Sequence, residues 1–142
     1  MAKPKKHTLS LDDESEFDLI GLCSHHSDYR LAWSINETLA YFFSKSEEDY
    51  IVSSKKGETV SEHSMYIYQD EENRLDMYLI KNKNKGKYLI PEKPTIDYFI
   101  FLHNNVSLDP EEIIADMKRV ESVLGAYIFD AEELPSARQM IF

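Results

Sequence analysis

Two carboxylates in the middle of the chain are the side chains best placed to do chemistry. Glu92 and Asp97 lie five residues apart, and converging carboxylates can act as an acid–base pair or hold a metal ion. A structural role is the alternative, because Pro91 and Pro94 stiffen the loop and an acid beside an apolar strand needs hydrogen-bond donors. We favour this second interpretation. We expect Asp97 to accept hydrogen bonds from backbone N–H groups of the same loop.

A cysteine and two histidines form the other chemically suggestive group. His25 and His26 are adjacent, so on a regular element their side chains point apart, and no spacing typical of a zinc site accompanies them. Cys23 follows the apolar Ile20 and Leu22, which favours a buried, inert thiol over a nucleophile. We therefore predict no catalytic residue, no metal site and no cofactor.

The segment 90–98 also carries a recognisable motif. Its sequence is Ile-Pro-Glu-Lys-Pro-Thr-Ile-Asp-Tyr, and the motif residues are Ile90, Pro91, Glu92, Ile96, Asp97 and Tyr98. The segment resembles the motif of the IPExxxVDY family, small proteins of bacteria of the Bacteroidetes group, with Ile96 in the place of valine. The stretch 28–31, together with Trp33 and Asn36, is similar to the N-terminal half of that family. The resemblance implies a one-domain cytoplasmic protein and brings no assigned activity or cofactor.

Composition limits the classes of protein that remain. The 142 residues include 16 basic and 26 acidic side chains, and the net charge of -10 disfavours nucleic acid and anionic membranes as partners. The single cysteine excludes an internal disulfide and favours a reducing compartment. The longest aliphatic and aromatic run, 98–102, is too short to span a bilayer. We expect a cytoplasmic protein with a flexible basic tail at 1–7 and a single domain at 8–142.

The N-terminal half mixes strand and helix signals. A short strand is expected at 8–11, whereas 17–23 fits a strand or a helix. Ser27 can cap a helix over 28–43. One face of this helix is predicted to be buried, and it consists of Leu31, Ile35, Leu39 and Phe42.

The period of the pattern changes to two after residue 62. The runs 65–68 and 75–80 alternate across the acidic turn 70–73, which predicts a β-hairpin. A further turn at 82–87 leads into 88–90, which would extend the hairpin into an antiparallel meander.

The last third predicts a strand, a helix and a strand. Residues 96–102 are nearly all apolar, as in a central strand buried on both faces. Asp109 and Pro110 are typical of a helix start, and Gly125 would cap a helix over 110–124. Residues 126–129 would return as a strand through a right-handed βαβ crossover. The predicted fold class is α+β, a mainly antiparallel sheet with two packed helices.

Three hairpin tyrosines suggest a binding surface. Tyr66, Tyr68 and Tyr78 can share one face of the hairpin, where a helix covers them or a partner protein contacts them. Stacked RNA bases rank third, because the Lys81–Lys87 island is more typical of a solvated turn. The apolar end of the sequence, 140–142, either tucks against the sheet or docks on a partner.

The function best supported by the sequence is a non-enzymatic protein-interaction or accessory module. Its expected partner is an unidentified cytoplasmic protein, contacted by the three tyrosines together with Glu92 and Lys93. A small-ligand or RNA-binding domain is the alternative, followed by an enzyme of unfamiliar type. The sequence does not determine the oligomeric state.

Overall fold

The computed structural model describes residues 17–142, and its centre is a six-stranded antiparallel sheet. In chain order the strands are β1 (Phe17–Cys23), β2 (Ser44–Lys45), β3 (Tyr50–Ser53), β4 (Thr59–His63), β5 (Met65–Asp70), β6 (Leu75–Lys81), β7 (Lys83–Asn84), β8 (Lys87–Tyr88), β9 (Tyr98–His103) and β10 (Gly125–Phe129). The helices are α1 (Asp28–Leu39), α2 (Pro110–Met117) and α3 (Pro135–Arg138). The sheet has the order β10-β1-β9-β6-β5-β2, and β3–β4 and β7–β8 form two separate hairpins. The predicted α+β class with a mainly antiparallel sheet is confirmed.

The sheet separates two apolar cores. On one face, α1 and α2 pack through Leu31, Ile35 and Met117 against residues such as Ile100. On the other face, the segment after β8 and the C-terminal segment cover Phe99 and Phe101. Strand β9 lies between β1 and β6, and its residues 98–102 are all buried. Because a strand alternates its side chains, a strand in this position must be apolar on both sides. The predicted central strand is confirmed, although it begins at residue 98.

Helix α1 is shorter than predicted. Ser27 caps its start by accepting the backbone N–H of Arg30 at 3.4 Å, as expected. The helix ends because Ala40 takes a left-handed conformation with φ 59°. The Asn36 amide then exchanges two 2.9 Å hydrogen bonds with the backbone of Phe43. This contact buries Phe43 and leaves Phe42 72% exposed, so the prediction that Phe42 belongs to the core face is wrong.

Helix α2 begins as predicted and ends seven residues earlier. Asp109 accepts the backbone N–H of Glu111 at 3.0 Å, and proline occupies the first turn. After the helix ends, tight turns bring Val120 and Val123 into the core. Leu124 is therefore 62% exposed, and Gly125 begins β10 without capping a helix.

The remaining connections also differ in detail from the prediction. Strands β9 and β10 both pair antiparallel with β1, so they run parallel to each other with β1 between them. The strand–helix–strand order is present, but its strands are not neighbours. The predicted meander is wrong, because the chain leaves the sheet after Lys81 and forms the separate β7–β8 hairpin. Leu89 and Ile90 are then buried in the second core. Segment 17–23 is a strand, and the predictions for 1–7 and 8–11 lie outside the described residues.

Substitution of Met117 tests the packing of α2. Met117 is fully buried, so Met117→Asp places an unpaired carboxylate in the first core. We expect the free energy of unfolding to fall by about 3 kcal/mol or more in denaturant titrations. The matched control is Leu124→Asp, which should change it by less than about 0.5 kcal/mol because that side chain is exposed. Equal losses in the two variants would contradict the early end of the helix.

Candidate functional site

The buried amide of Asn82 organises the motif segment. Its Nδ2 donates to the backbone carbonyls of Lys93 at 3.0 Å and Ile96 at 2.8 Å, and its Oδ1 accepts the N–H of Ile90 at 2.9 Å. Its backbone N–H donates to the Asp97 carbonyl, and its carbonyl accepts the N–H of Leu89. The side chain is 0% exposed, so these bonds satisfy an amide that has no access to water.

Asp97 accepts a backbone hydrogen bond, but the donor is not the predicted one. Its Oδ2 lies 2.9 Å from the N–H of Ser24, and its own N–H donates to the Leu22 carbonyl. The carboxylate therefore ties the start of β9 to the end of β1. The expectation that the loop 91–95 would supply the donor is wrong: the Lys93 N–H donates to the Ile90 carbonyl, and the Asp97 carboxylate instead accepts the N–H that follows β1.

The two motif carboxylates serve different contacts. Glu92 Oε2 accepts both the N–H and the hydroxyl of Ser136 at 3.1 Å, beside the start of α3. The Lys93 ammonium lies 5.1 Å from the centre of the Phe129 ring, in a cation–π contact. Both residues are thus engaged within the chain.

The rest of the motif is also packed or hydrogen-bonded. Ile90 and Ile96 are buried in the second core, whereas Pro91 is exposed. The Tyr98 hydroxyl donates to the His26 carbonyl at 2.7 Å, and burial raises the pKa of that phenol. The motif therefore joins the central strand to its surroundings at several points.

The predicted cysteine and histidine positions are partly corrected. His25 and His26 are exposed in the loop between β1 and α1, as expected. Cys23 is only half-buried, with its Sγ 3.8 Å from the Thr95 carbonyl. Burial and the neighbouring Asp97 raise the pKa of the thiol, which keeps it protonated.

The hairpin tyrosines do not form one exposed surface. Tyr66 is 7% exposed and belongs to the first core, so it cannot serve as a contact residue in this state. Tyr78 lies opposite Ile67 in the β5–β6 register and therefore points to the other face, where its ring stacks 4.4 Å from that of Phe142. Tyr68 is half-buried and lies on the same face as Tyr66. The placement of Tyr78 beside the other two was wrong, because directly paired residues share a face.

The C-terminal residues pack on the second face of the sheet. Phe142 also contacts the rings of Phe17, Tyr50 and Phe101, at centroid distances from 4.9 to 5.8 Å. Met140 is buried, whereas Ile141 is exposed. Of the two predicted roles for this segment, the structure shows the contact with the sheet.

A groove of about 270 Å³ opens beside the turn that joins β5 to β6. It lies between this turn, the end of α1 and the start of α2. One wall is aromatic: the rings of Tyr41 and Tyr68 lie 5.3 Å apart, and the exposed Phe42 contacts Tyr68 at 6.0 Å. The rest of the lining combines apolar residues and Asn73 with five carboxylates. Its carboxylates are Asp70, Glu72, Asp109, Glu112 and Asp116. We call this the acidic groove, and none of its lining residues, all within 17–142, is lysine or arginine.

Local contacts fix the shape of the acidic groove. Asp70 accepts the N–H and the amide of Asn73 at 3.1 and 2.9 Å, which holds the turn. Asp109 caps α2, and Asp116 forms a 3.5 Å ion pair with Arg119. Burial, followed by Asp116, Tyr68 and Asp70, raises the pKa of Tyr41 to about 12. The phenol is therefore neutral and sits in a negative environment.

Sequence reasoning missed this groove because its acids come from separate segments. The acids in 70–72 are typical of a turn, and those at 109–112 are typical of a helix start. Each set has a sufficient local explanation, and only the fold brings the sets together. One feature of the sequence could have indicated the groove. The aromatic segment 41–43 and the acidic segments 70–72 and 109–112 each lie at the end of a helix or strand.

A second polar feature lies in the β3–β4 hairpin. Ser61 Oγ and His63 Nε2 are 2.8 Å apart, and both residues are buried. A serine beside a histidine resembles part of a hydrolytic site, but a substrate has no access to this pair. Both residues belong to β4, where side chains two residues apart lie on the same face of the strand. Burial lowers the pKa of His63, against the smaller opposing effects of the Lys81 backbone and Asp49.

Comparison with known proteins finds no matching family model, no similar curated protein and no similar solved structure. Within residues 17–142, no three His, Cys, Asp or Glu side chains are arranged to hold a metal ion. No helix in this part of the chain has the length and apolarity needed to cross a membrane.

Substitution of Asn82 tests its role as the organiser of the motif segment. Asn82→Asp keeps the shape but cannot donate to the carbonyls of Lys93 and Ile96, and it buries a charge. We expect a loss of about 3 kcal/mol or more in the free energy of unfolding. Asn84→Asp is the control, since that amide donates only to the exposed Glu62 carbonyl, and it should cost about 1 kcal/mol or less. A stable Asn82→Asp variant would contradict this role.

Protonation of His63 predicts a pH dependence of stability. Because burial lowers its pKa in the folded state, the unfolded chain binds the proton first as the pH falls through about 6.5. The contribution of neutral His63 is therefore complete above that pH and is lost below it. Chemical unfolding between pH 8 and 5 should show less pH dependence in His63→Gln than in the unaltered protein. His25→Gln, at an exposed site, should keep the original slope, and the same slope in His63→Gln would refute the assignment.

Proposed function

We propose that this protein is a binding module that holds a basic segment of a partner protein in the acidic groove. The observation that carries this proposal is the combination of five carboxylates and two tyrosine rings around one groove whose lining contains no basic side chain. Such a surface attracts cations, and aromatic faces add cation–π contacts to lysine or arginine. Of the predicted contact residues only Tyr68 lines this groove, whereas Tyr66, Tyr78, Glu92 and Lys93 do not.

The size of the groove supports a side chain as its occupant. Pockets for small metabolites usually measure about 300–1,000 Å³ and enclose most of the ligand. This groove is smaller, at about 270 Å³, and open. It suits one or two side chains of a longer segment that continues across the surface.

The rigidity of the walls supports binding as well. Phe43 is pinned by Asn36, and its ring packs 5.7 Å from that of Tyr68. Asp70 is fixed by Asn73, and Asp109 by its capping bond. Side chains that are already ordered lose little entropy on association, so their contacts contribute more to affinity.

Charge also orders the alternatives. The carboxylates repel phosphates, which disfavours RNA at this groove. Ser61 and His63 form a hydroxyl–imidazole pair, but both residues are buried, which disfavours hydrolysis at that pair.

We propose a cytoplasmic location on the grounds of the single cysteine. Membership of the IPExxxVDY family is a further proposal, and it rests on the motif residues 90–98.

Titration with basic peptides tests the proposed function. The probes are a lysine-rich and an arginine-rich peptide labelled with a fluorophore, and the readout is fluorescence anisotropy with the full chain. We expect saturable binding that weakens as the salt concentration rises, because screening reduces charge attraction. A glutamate-rich peptide of the same length is the negative control.

A charge-matched pair of variants locates the binding. Glu72→Lys with Glu112→Lys alters two exposed groove acids, whereas Glu47→Lys with Glu58→Lys makes the same charge change elsewhere. We expect the groove variant to raise the Kd at least about tenfold, and the control to change it by about twofold or less. Equal losses in both variants, or no binding of either basic peptide, would refute the proposed function.

A further inference from the structure

We infer that the outer edge of β10 is an interface at which two copies of this chain pair as antiparallel strands. Strand β10 is the last strand of the six-stranded sheet, and within residues 17–142 it pairs only with β1. Its Tyr127 is 50% exposed and Ile128 is 40% exposed, and the preceding Leu124 is 62% exposed. This inference is independent of the acidic groove.

The edge lacks the features that normally keep sheet edges apart. Exposed edge strands are usually very short, or carry lysine, proline or a bulge. The opposite edge, β2, follows this rule, since it has two residues and one is Lys45. In contrast, β10 has five residues, Gly-Ala-Tyr-Ile-Phe, with no charge and no proline, and its five pairs with β1 run in unbroken register.

The sequence of β10 is complementary to itself. When two copies pair antiparallel about Tyr127, Ile128 lies opposite Ala126 of the second copy and Phe129 lies opposite Gly125. Each large residue then meets a small one, which favours close packing of cross-strand neighbours. The Tyr127 hydroxyl already lies over Gly125, where a Cβ would come within 2.6 Å of it. The Phe129 ring itself lies over Gly21 of the neighbouring strand β1 and packs against the second core.

The hydrogen-bonding groups at the two ends of β10 also match. Cys23 pairs with Gly125, so the exposed His25 and His26 follow β1 near the start of β10. The exposed Asp130 and Glu132 follow its end. Antiparallel pairing brings the carboxylates of one copy toward the imidazole N–H groups of the other. A second copy therefore fits both the shape and the hydrogen-bonding groups of this edge.

The net charge predicts an unusual salt dependence for this dimer. Each copy carries a net charge of -10, so the two copies repel each other at long range. Salt screens this repulsion, and we expect the dimer fraction to rise between 50 and 500 mM NaCl. Peptide binding in the acidic groove should change in the opposite direction, which separates the two proposals.

Sedimentation velocity of the full chain over a range of concentrations tests the dimer. We expect a monomer–dimer equilibrium in which Ile128→Lys raises the dissociation constant at least about tenfold, because a lysine on the edge blocks pairing. Ile51→Lys makes the same change at a half-exposed position of β3 and should leave the equilibrium unchanged. A monomer at every concentration and salt would overturn the inference, as would a dimer that persists in Ile128→Lys.

Disulfide trapping checks the register without relying on the charged variant. In a Cys23→Ser background, Tyr127→Cys places one cysteine of each copy directly opposite the other. Their Cβ atoms would be about 4.5–5.5 Å apart, so a small movement of the two strands allows a disulfide to form. Mild oxidation should give a covalent dimer that Ile51→Cys in the same background does not give. Equal cross-linking of the two variants, or none, would overturn the proposed pairing. Ile128→Lys should still bind the basic peptides if only the dimer is absent.

Discussion

The hydrogen bonds of one buried amide hold the second face of the sheet in place. Asn82 follows β6 directly, and its side chain and backbone together bind the chain at residues 89, 90, 93, 96 and 97. Without this amide, the backbone groups of a segment that is neither helix nor strand would be buried without partners. The segment lies over the second core because Asn82 satisfies it there. Ile90 and Ile96 can then be buried beside Phe99.

In this arrangement the polar residues of segment 90–98 have structural roles. Asp97 joins β9 to the end of β1, and Glu92 joins the loop to the region of Ser136. These side chains are therefore used within the chain, and the acidic groove lies elsewhere, beside the β5–β6 turn and the start of α2. The motif segment and the acidic groove are kept apart by the topology, because the sheet with β9 near its centre lies between the two faces.

Local signals predicted the elements better than the contacts between them. The central strand and the start of α2 were predictable, because a two-sided apolar run and an Asp-Pro-Glu-Glu start leave few alternatives. The ends of both helices were not. Ala40 adopts a left-handed conformation only because Asn36 binds Phe43, a contact that no helical period contains. The donor to Asp97 and the acids of the groove also come from distant segments, so no spacing in the sequence could reveal them.

The central claim is that the acidic groove holds a basic segment, and two-dimensional ¹H–¹⁵N NMR of the labelled full chain tests it most directly. During titration with the lysine-rich peptide, the account predicts that amide shifts concentrate at Tyr41, Tyr68, Glu72 and Glu112, which line the groove from its three sides. It also predicts little change at Lys93 and Asp97 in the motif segment. Shifts that concentrate in 90–97 and spare the groove, or a spectrum that does not change at saturating peptide, would contradict the account.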